Sequence, residues 1–290
     1  MKHGIYYSYW EKEWAADYLY YVDKVARLGF DILEIGAAPI PDYTQDQIHA
    51  LKASAKANNI ELTAGYGPTY EHNMGSSDPS IRKNATEWYQ RLFDNMAQLD
   101  IHQIGGALYS YWPVDFSSVN KPEDWKNSVE GMQILGELAK QYDITLGMEV
   151  LNRFENHILN TSEEGVAFVK EVDQDNVKVM LDTFHMNIEE VSIADAIRTA
   201  GDLLGHLHTG ECNRMVPGKG RTPWREIGEA LRDIRYDGTV VMEPFVNMGG
   251  QVGKDIHIWR DLSKGATEEM LDKDAKDALI FQRYMLEWNK

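Results

Sequence analysis

The chain has 290 residues, 43% of them hydrophobic and 26% charged, a composition that fits one globular domain over residues 1–290 with an ample core. Its formal net charge of −17 argues against nucleic acid and against anionic membrane surfaces, both of which select clustered Lys and Arg. The single cysteine, Cys212, excludes an internal disulfide and a cysteine-based zinc site, and no apolar run approaches the roughly 20 residues that span a bilayer.

The opening Met1-Lys2-His3-Gly4-Ile5 lacks the apolar stretch of a signal peptide, so a cytoplasmic location is expected. Residues 3–8 read as a strand. Trp14, Tyr18, Tyr21, Val22, Val25 and Leu28 then recur at helical spacing, and Gly29 offers a stop. A strand over 31–36, a helix over 45–57 and a strand over 61–65 follow. A helix over about 81–99 leads to a strand over 103–108. Asn120 and Glu123 form a capping-box pattern ahead of Trp125, Val129, Met132 and Leu135. After a strand over 145–150, Thr161 and Glu164 repeat that pattern. Residues 177–183 read as a strand, and Ser192 caps a helix through Ile193, Ile197 and Ala200 that Gly201 ends. A strand over 204–209 precedes a helix started by Thr222-Pro223 and carried by Trp224, Ile227 and Leu231. A strand over 239–245 and a helix over 267–288 complete the chain. Eight strand–helix units with continuously apolar strands imply a parallel sheet covered by helices, and that number suits a closed (β/α)8 TIM barrel.

Such barrels place their chemistry at the C-terminal ends of the strands. Four consecutive strands finish on an ionisable residue after an apolar run: Glu149, Asp182, His208 and Glu243. Three carboxylates converging in a half-buried mouth could not all stay ionised without a cation. A divalent metal with one imidazole resolves that repulsion, and the oxygen-rich set suits Mn²⁺, Co²⁺ or Mg²⁺ better than a closed zinc site. The plainer alternative is a set of separate ion pairs or strand-end caps. His206, two residues before His208, points to the same side and deeper, as a satisfied core histidine or a group behind the metal.

The segments carrying these residues resemble the D-tagatose 3-epimerase family. They are Met148-Glu149-Val150-Leu151-Asn152-Arg153-Phe154-Glu155-Asn156, Met180-Leu181-Asp182-Thr183-Phe184-His185-Met186-Asn187, His206-Leu207-His208-Thr209-Gly210-Glu211-Cys212-Asn213-Arg214 and Met242-Glu243-Pro244-Phe245. Gly4-Ile5-Tyr6-Tyr7 and the stretch from Gly105 to Pro113 also match, so the likeness spans the chain. The resemblance implies a xylose-isomerase-like barrel and one divalent metal per subunit, Mn²⁺ or Co²⁺ favoured, on Glu149, Asp182, His208 and Glu243. It implies that Glu149 and Glu243 remove and return the C3 proton of a free ketohexose through a cis-enediolate. Glu155, His185 and Arg214 are then substrate contacts, with Tyr6 and Trp112 lining the sugar pocket. The Gly65-Tyr66-Gly67-Pro68-Thr69-Tyr70 loop is expected at the far end of the sugar. The family further implies a homodimer or homotetramer, whose interface Trp259 and Trp288 could cover.

Two neighbouring readings use the same barrel. One is a metal-dependent aldose–ketose isomerase, which moves the carbonyl between C1 and C2. The other is a sugar-phosphate epimerase, for which Lys219 and Arg221 in the loop around Gly218–Gly220 are candidate phosphate contacts. A metal-dependent endonuclease is opposed by the acidic charge and the single metal-binding histidine. A non-catalytic sugar-binding protein would leave two carboxylates across the site without a purpose.

Overall fold

The structure, a computed structural model, describes residues 1–287. Trp288, where the last predicted helix was to end, lies outside the described residues. The strands are β1 (Lys2–Tyr6), β2 (Ile32–Gly36), β3 (Glu61–Gly65), β4 (Gln103–Gly106), β5 (Thr145–Glu149), β6 (Val177–Asp182), β7 (Leu204–Thr209) and β8 (Thr239–Met242). They pair in parallel in sequence order, and β8 closes on β1 with Lys2 opposite Thr239 and Ile5 opposite Met242. Side chains fill the barrel from within and helices cover it from without, so the strands are apolar on both faces. In β2, for instance, Ile32, Leu33 and Ile35 are wholly buried.

The helices are α1 (Tyr18–Leu28), α2 (Gln45–Ala57), α3 (Pro79–Gln98), α4 (Lys121–Lys140), α5 (Ser162–Val172), α6 (Thr183–Glu189), α7 (Ile193–Ala200), α8 (Trp224–Asp233), α9 (Gly250–Asp255) and α10 (Glu268–Glu287), of which α6 and α9 reach the cavity at the barrel mouth. Local chemistry sets their ends. Gly29 closes α1 in the left-handed region at φ 94°, returning its N–H to Val25 and Ala26 carbonyls. Thr44 and Gln47 cap α2 reciprocally.

Several boundaries differ from the sequence reading, each for a local reason. The helix expected from 81 starts at Pro79, because Asp78 accepts the Ser80 N–H and proline suits a first turn. Asn120 makes no cap; Asp124 Oδ2 reaches back to the Asn120 N–H at 3.0 Å instead. Thr161 does accept the Glu164 N–H, but Glu164 turns to the Asn160 N–H, so only half of that box forms. The expected strand over 239–245 stops at Met242, leaving Glu243 just past its end. Two helices were not expected. In one, β6 runs into α6 without a loop, Asp182 being both the last strand residue and the cap that accepts the Phe184 N–H. The other is the six-residue α9, entered through Gly249 and Gly250, both at positive φ.

Candidate active site

The register carries Glu149, Asp182, His208 and Glu243 to one end of the barrel: Glu149 pairs with Met180, Asp182 with His208, and Thr209 with Met242. Each of the four offers one ligand atom, and these atoms lie within 4.8 Å of one another. His208 Nδ1 lies 3.6 Å from Glu243 Oε1 and 3.9 Å from Glu149 Oε1, and it has no hydrogen-bond partner. Burial, and then the neighbouring Glu243, push the Glu149 carboxyl well above the usual carboxylate range. An unpartnered, buried imidazole nitrogen facing crowded carboxylates is the arrangement a divalent cation would satisfy. Three oxygen donors and one nitrogen make a hard, cation-neutralising set, so the residues present fit such an ion.

The groups expected to touch substrate stand around that point. Asn152 Oδ1 accepts the Phe154 N–H, which turns its Nδ2 toward His185 Nδ1 at 2.8 Å. His185 Nδ1 is thereby the acceptor, and its Nε2–H faces inward, 3.8 Å from both Glu149 and Asp182. Burial lowers the His185 pKa and keeps the ring neutral. Arg214 sits at φ 62°, its guanidinium 3.7 Å above the Phe184 ring. It reaches Glu243 at 3.1 Å, Asp182 at 3.4 Å and Glu155 at 3.5 Å. Glu155 also accepts from Asn152 at 3.0 Å and from the Trp112 indole at 3.3 Å. Burial opposes charge on Glu155, but the Arg214 guanidinium and the Asn152 and Trp112 N–H donors hold its carboxyl below the usual range. Tyr6 and Trp112 line the cavity above, which has a volume of about 440 Å³, the scale of a small-molecule site. The four expected metal ligands and the five expected substrate contacts therefore meet in one place.

The chain matches the xylose isomerase-like TIM barrel family over residues 22–262. It is 62% identical to the D-psicose 3-epimerase of Ruminiclostridium cellulolyticum over 291 residues, covering 100% of this chain and 99% of that one. The D-psicose 3-epimerase of Agrobacterium fabrum is 58% identical, with 99% of each chain covered. The crystal structure of D-psicose 3-epimerase with D-tagatose from Clostridium cellulolyticum H10 superposes with a TM-score of 0.98 at 62% identity, covering 99% of both chains. The chain belongs to the D-tagatose 3-epimerase family. Within that family of xylose isomerase-like barrels its likeness is to the D-psicose 3-epimerases.

The loop expected at the sugar's far end faces the cavity through Gly65, Tyr66, Gly67 and Thr69. Tyr66 presents its ring there, because its hydroxyl is tied to His72 Nδ1 at 2.7 Å and its face stacks on Trp88 at 4.6 Å. Gly106 makes this possible: at φ +128° a Cβ there would lie 2.2 Å from the Tyr66 carbonyl oxygen.

In the candidate phosphate loop Arg221 is exposed, but the backbone donors and Lys219 are engaged elsewhere. The wholly buried Glu211 takes the N–H groups of Gly218 at 2.6 Å and Thr222 at 3.0 Å, and the Trp224 indole N–H at 2.7 Å. Lys219 pairs with Asp274 on α10. The loop thus holds a carboxylate of its own where a phosphate was considered.

His206 is wholly buried and only half satisfied: Nδ1 lies 2.5 Å from Thr239 Oγ1, while Nε2 has no hydrogen-bond partner and stands 3.1 Å from Glu34 Oε2, the group behind His208. The sequence reading missed Glu34, whose Oε1 lies 2.6 Å from His208 Nε2. A lone carboxylate inside the apolar run Leu33-Glu34-Ile35 was the available signal. Asn152 was also missed, although it stands within a segment that carried the family resemblance. Trp259 is well exposed, beside the equally exposed Phe154 at the rim of a neighbouring groove. Among the described residues no helix is long and apolar enough to cross a membrane.

Proposed function

We propose that this chain is a ketose 3-epimerase that interconverts free ketohexoses, D-fructose with D-psicose and D-tagatose with D-sorbose, using one divalent ion per subunit. The reading is carried by the convergence of Glu149, Asp182, His208 and Glu243, their ligand atoms within 4.8 Å, on a sugar-sized cavity. Whole-chain likeness to D-psicose 3-epimerases supports the substrate class. The filling of the Gly218 loop by Glu211 favours a free over a phosphorylated sugar.

Bound to these four residues, a divalent cation, Mn²⁺ or Co²⁺ in preference to Mg²⁺, stabilises negative charge that develops on the ketose oxygens. The remaining chemistry belongs to side chains. Inversion at C3 requires a base on one face of the carbon and an acid on the other. Glu149 ends β5 and Glu243 follows β8, with β6 and β7 between them, so the two carboxylates enter the cavity from different staves. One removes the C3 proton and the other delivers a proton to the opposite face, and the roles exchange with direction. His185 Nε2–H and the Arg214 guanidinium donate to the C1–C2 oxygens as charge grows there. Glu155 holds Arg214 and Trp112 in place, while Tyr6 and Trp112 exclude water from the reacting carbon.

We take residues 1–290 to act as one barrel domain, assembled as a homodimer or homotetramer in the cytoplasm. The reaction is tested by incubating metal-stripped protein with Mn²⁺ and D-fructose, D-psicose, D-tagatose or D-fructose 6-phosphate. The proposal expects the C3-inverted free ketose. An aldose product, or turnover of the phosphate ester alone, would overturn it.

A further inference from the structure

We propose that Glu34 is a positioning residue for His208: it accepts the Nε2 proton and so leaves Nδ1 as the lone-pair nitrogen aimed at Glu149, Asp182 and Glu243. The inference rests on the metal reading above and deepens it. A neutral imidazole carries one N–H and one lone pair, and the partner of one nitrogen decides which is which. Here Nε2 lies 2.6 Å from Glu34 Oε1, while Nδ1 has no hydrogen-bond partner and faces the carboxylates.

Glu34 is in turn held on several sides, deep in the barrel and almost wholly buried. Its Oε2 accepts the Thr63 hydroxyl at 2.8 Å. His206 Nε2 stands 3.1 Å from that same oxygen, at an angle that makes no hydrogen bond. His206 is fixed from behind. Gln103 Nε2 donates to the Gly205 carbonyl at 3.3 Å, which turns Gln103 Oε1 toward the Thr239 hydroxyl at 3.1 Å. With its proton so engaged, Thr239 Oγ1 accepts from His206 Nδ1. Hydrogen bonds from Thr63 on β3 and His208 on β7 thus hold Glu34 of β2, and a separate chain over β4, β8 and β7 fixes the His206 ring packed beside it. Such supports raise ligand basicity and hold the ring angle.

Glu34, His206 and His208 also lie close enough to be considered a second cation site. The 2.6 Å separation of Glu34 Oε1 and His208 Nε2 argues otherwise. Two donors on one ion, each about 2.0–2.2 Å from it, sit roughly 3 Å or more apart. The pair is spaced for a proton rather than for a metal.

The test measures Mn²⁺ binding to the metal-stripped parent chain, Glu34→Gln and Glu34→Ala, following free Mn²⁺ by electron paramagnetic resonance. We expect one ion per parent chain. Glu34→Gln, which keeps an oxygen for Nε2–H but no charge, should bind about tenfold more weakly, and Glu34→Ala up to about 100-fold more weakly. Epimerase activity of Glu34→Gln should recover as Mn²⁺ is raised, which a merely structural lesion would not produce. Parent-like affinity in the folded Glu34→Gln variant overturns the inference, and that variant decides alone if Glu34→Ala does not fold. Two ions per parent chain, with one lost in Glu34→Gln, would make Glu34 a ligand and also overturn it. A parent that binds no divalent ion would sink the metal reading itself, an outcome distinct from a parent that binds and variants that do not differ.

Discussion

Metal-free protein should become more stable when a carboxylate of its own active site is neutralised. The ligand atoms of Glu149, Asp182 and Glu243 lie within 4.8 Å of one another. At that spacing and an effective dielectric constant near 20, each ionised pair repels by about 3.5 kcal/mol. His208 and Arg214 offset part of this, and burial together with Glu243 still pushes the Glu149 carboxyl well above its ordinary range. The folded chain therefore keeps a proton on Glu149 that the unfolded chain releases near pH ~4.3. Between that pH and the raised folded pKa the native state binds more protons, so stability falls as pH rises. His208 acts in the same direction. Burial opposes its charge, but Glu34 and Glu243 raise its pKa, so its contribution is present below about pH 6.5 and is lost as pH rises through the raised value. Glu149→Gln keeps the shape and removes the titration. Without metal it should exceed the parent by about 1–3 kcal/mol at pH 8, a few degrees in Tm, and match it at pH ~4, below the unfolded pKa. Calorimetric melts in chelator at both pH values measure this, and saturating Mn²⁺ should reverse the order, because the parent alone keeps all four ligands. A metal-free Glu149→Gln variant less stable than the parent at pH 8 would refute the reasoning.

Asp182→Asn should weaken Mn²⁺ binding at least tenfold with little loss of Tm, because Asn still caps α6 through the Phe184 N–H; titration with Mn²⁺ checks it, and undiminished affinity removes Asp182 from the metal set. Glu211→Gln should cost about 1–3 kcal/mol and raise KM: an amide oxygen can keep the Gly218 and Trp224 donors, but its NH₂ then opposes the Thr222 N–H in the loop that carries Arg214. Thermal melts and steady-state kinetics read both effects, and an unchanged Tm argues against the anchoring role. Asn152→Ala should lower kcat about 10- to 100-fold and leave Mn²⁺ affinity near the parent value, since it removes the closer of the two N–H groups on His185 Nδ1, leaving the backbone N–H at 3.3 Å, without touching the metal set. An Asn152→Ala variant of parent kcat would remove His185 orientation from the mechanism.

The barrel was legible because each strand is buried on both faces and reads as an apolar run, as in Ile32-Leu33 or Val240-Val241-Met242, between helices with clear apolar spacing. Glu149, Asp182, His208 and Glu243 stood out because each breaks such a run at its C-terminal end, where the fold exposes side chains to the cavity. Glu34 escaped notice because it lies inside its strand, and its meaning depends on β2 and β7 facing each other across the barrel interior. No local pattern carries that cross-barrel proximity. The helix α6 was hidden for a different reason. Asp182 serves at once as strand end, candidate ligand and helix cap, so the chain gives no turn residues between the two elements. The cap at Asn120 was misread because a Ser, Thr, Asn or Asp followed three residues on by Glu fixes only which groups could meet. In the fold, Asp124 lies better placed and wins the Asn120 N–H. That the N–H groups of the Gly218 loop are already engaged was hidden similarly, since Glu211, seven residues earlier, folds back into the space between them.

The most direct test of the two-carboxylate account is the rate of deuterium entry at C3 of D-psicose and D-fructose in D₂O, measured by NMR for Mn²⁺-loaded parent, Glu149→Gln and Glu243→Gln. The parent should place deuterium at C3 of the epimerised sugar, and each variant should fall by orders of magnitude, because inversion needs a proton handled on both faces. Turnover by either variant at close to the parent rate, or epimerisation without solvent deuterium at C3 and with the label appearing at C1, would contradict it.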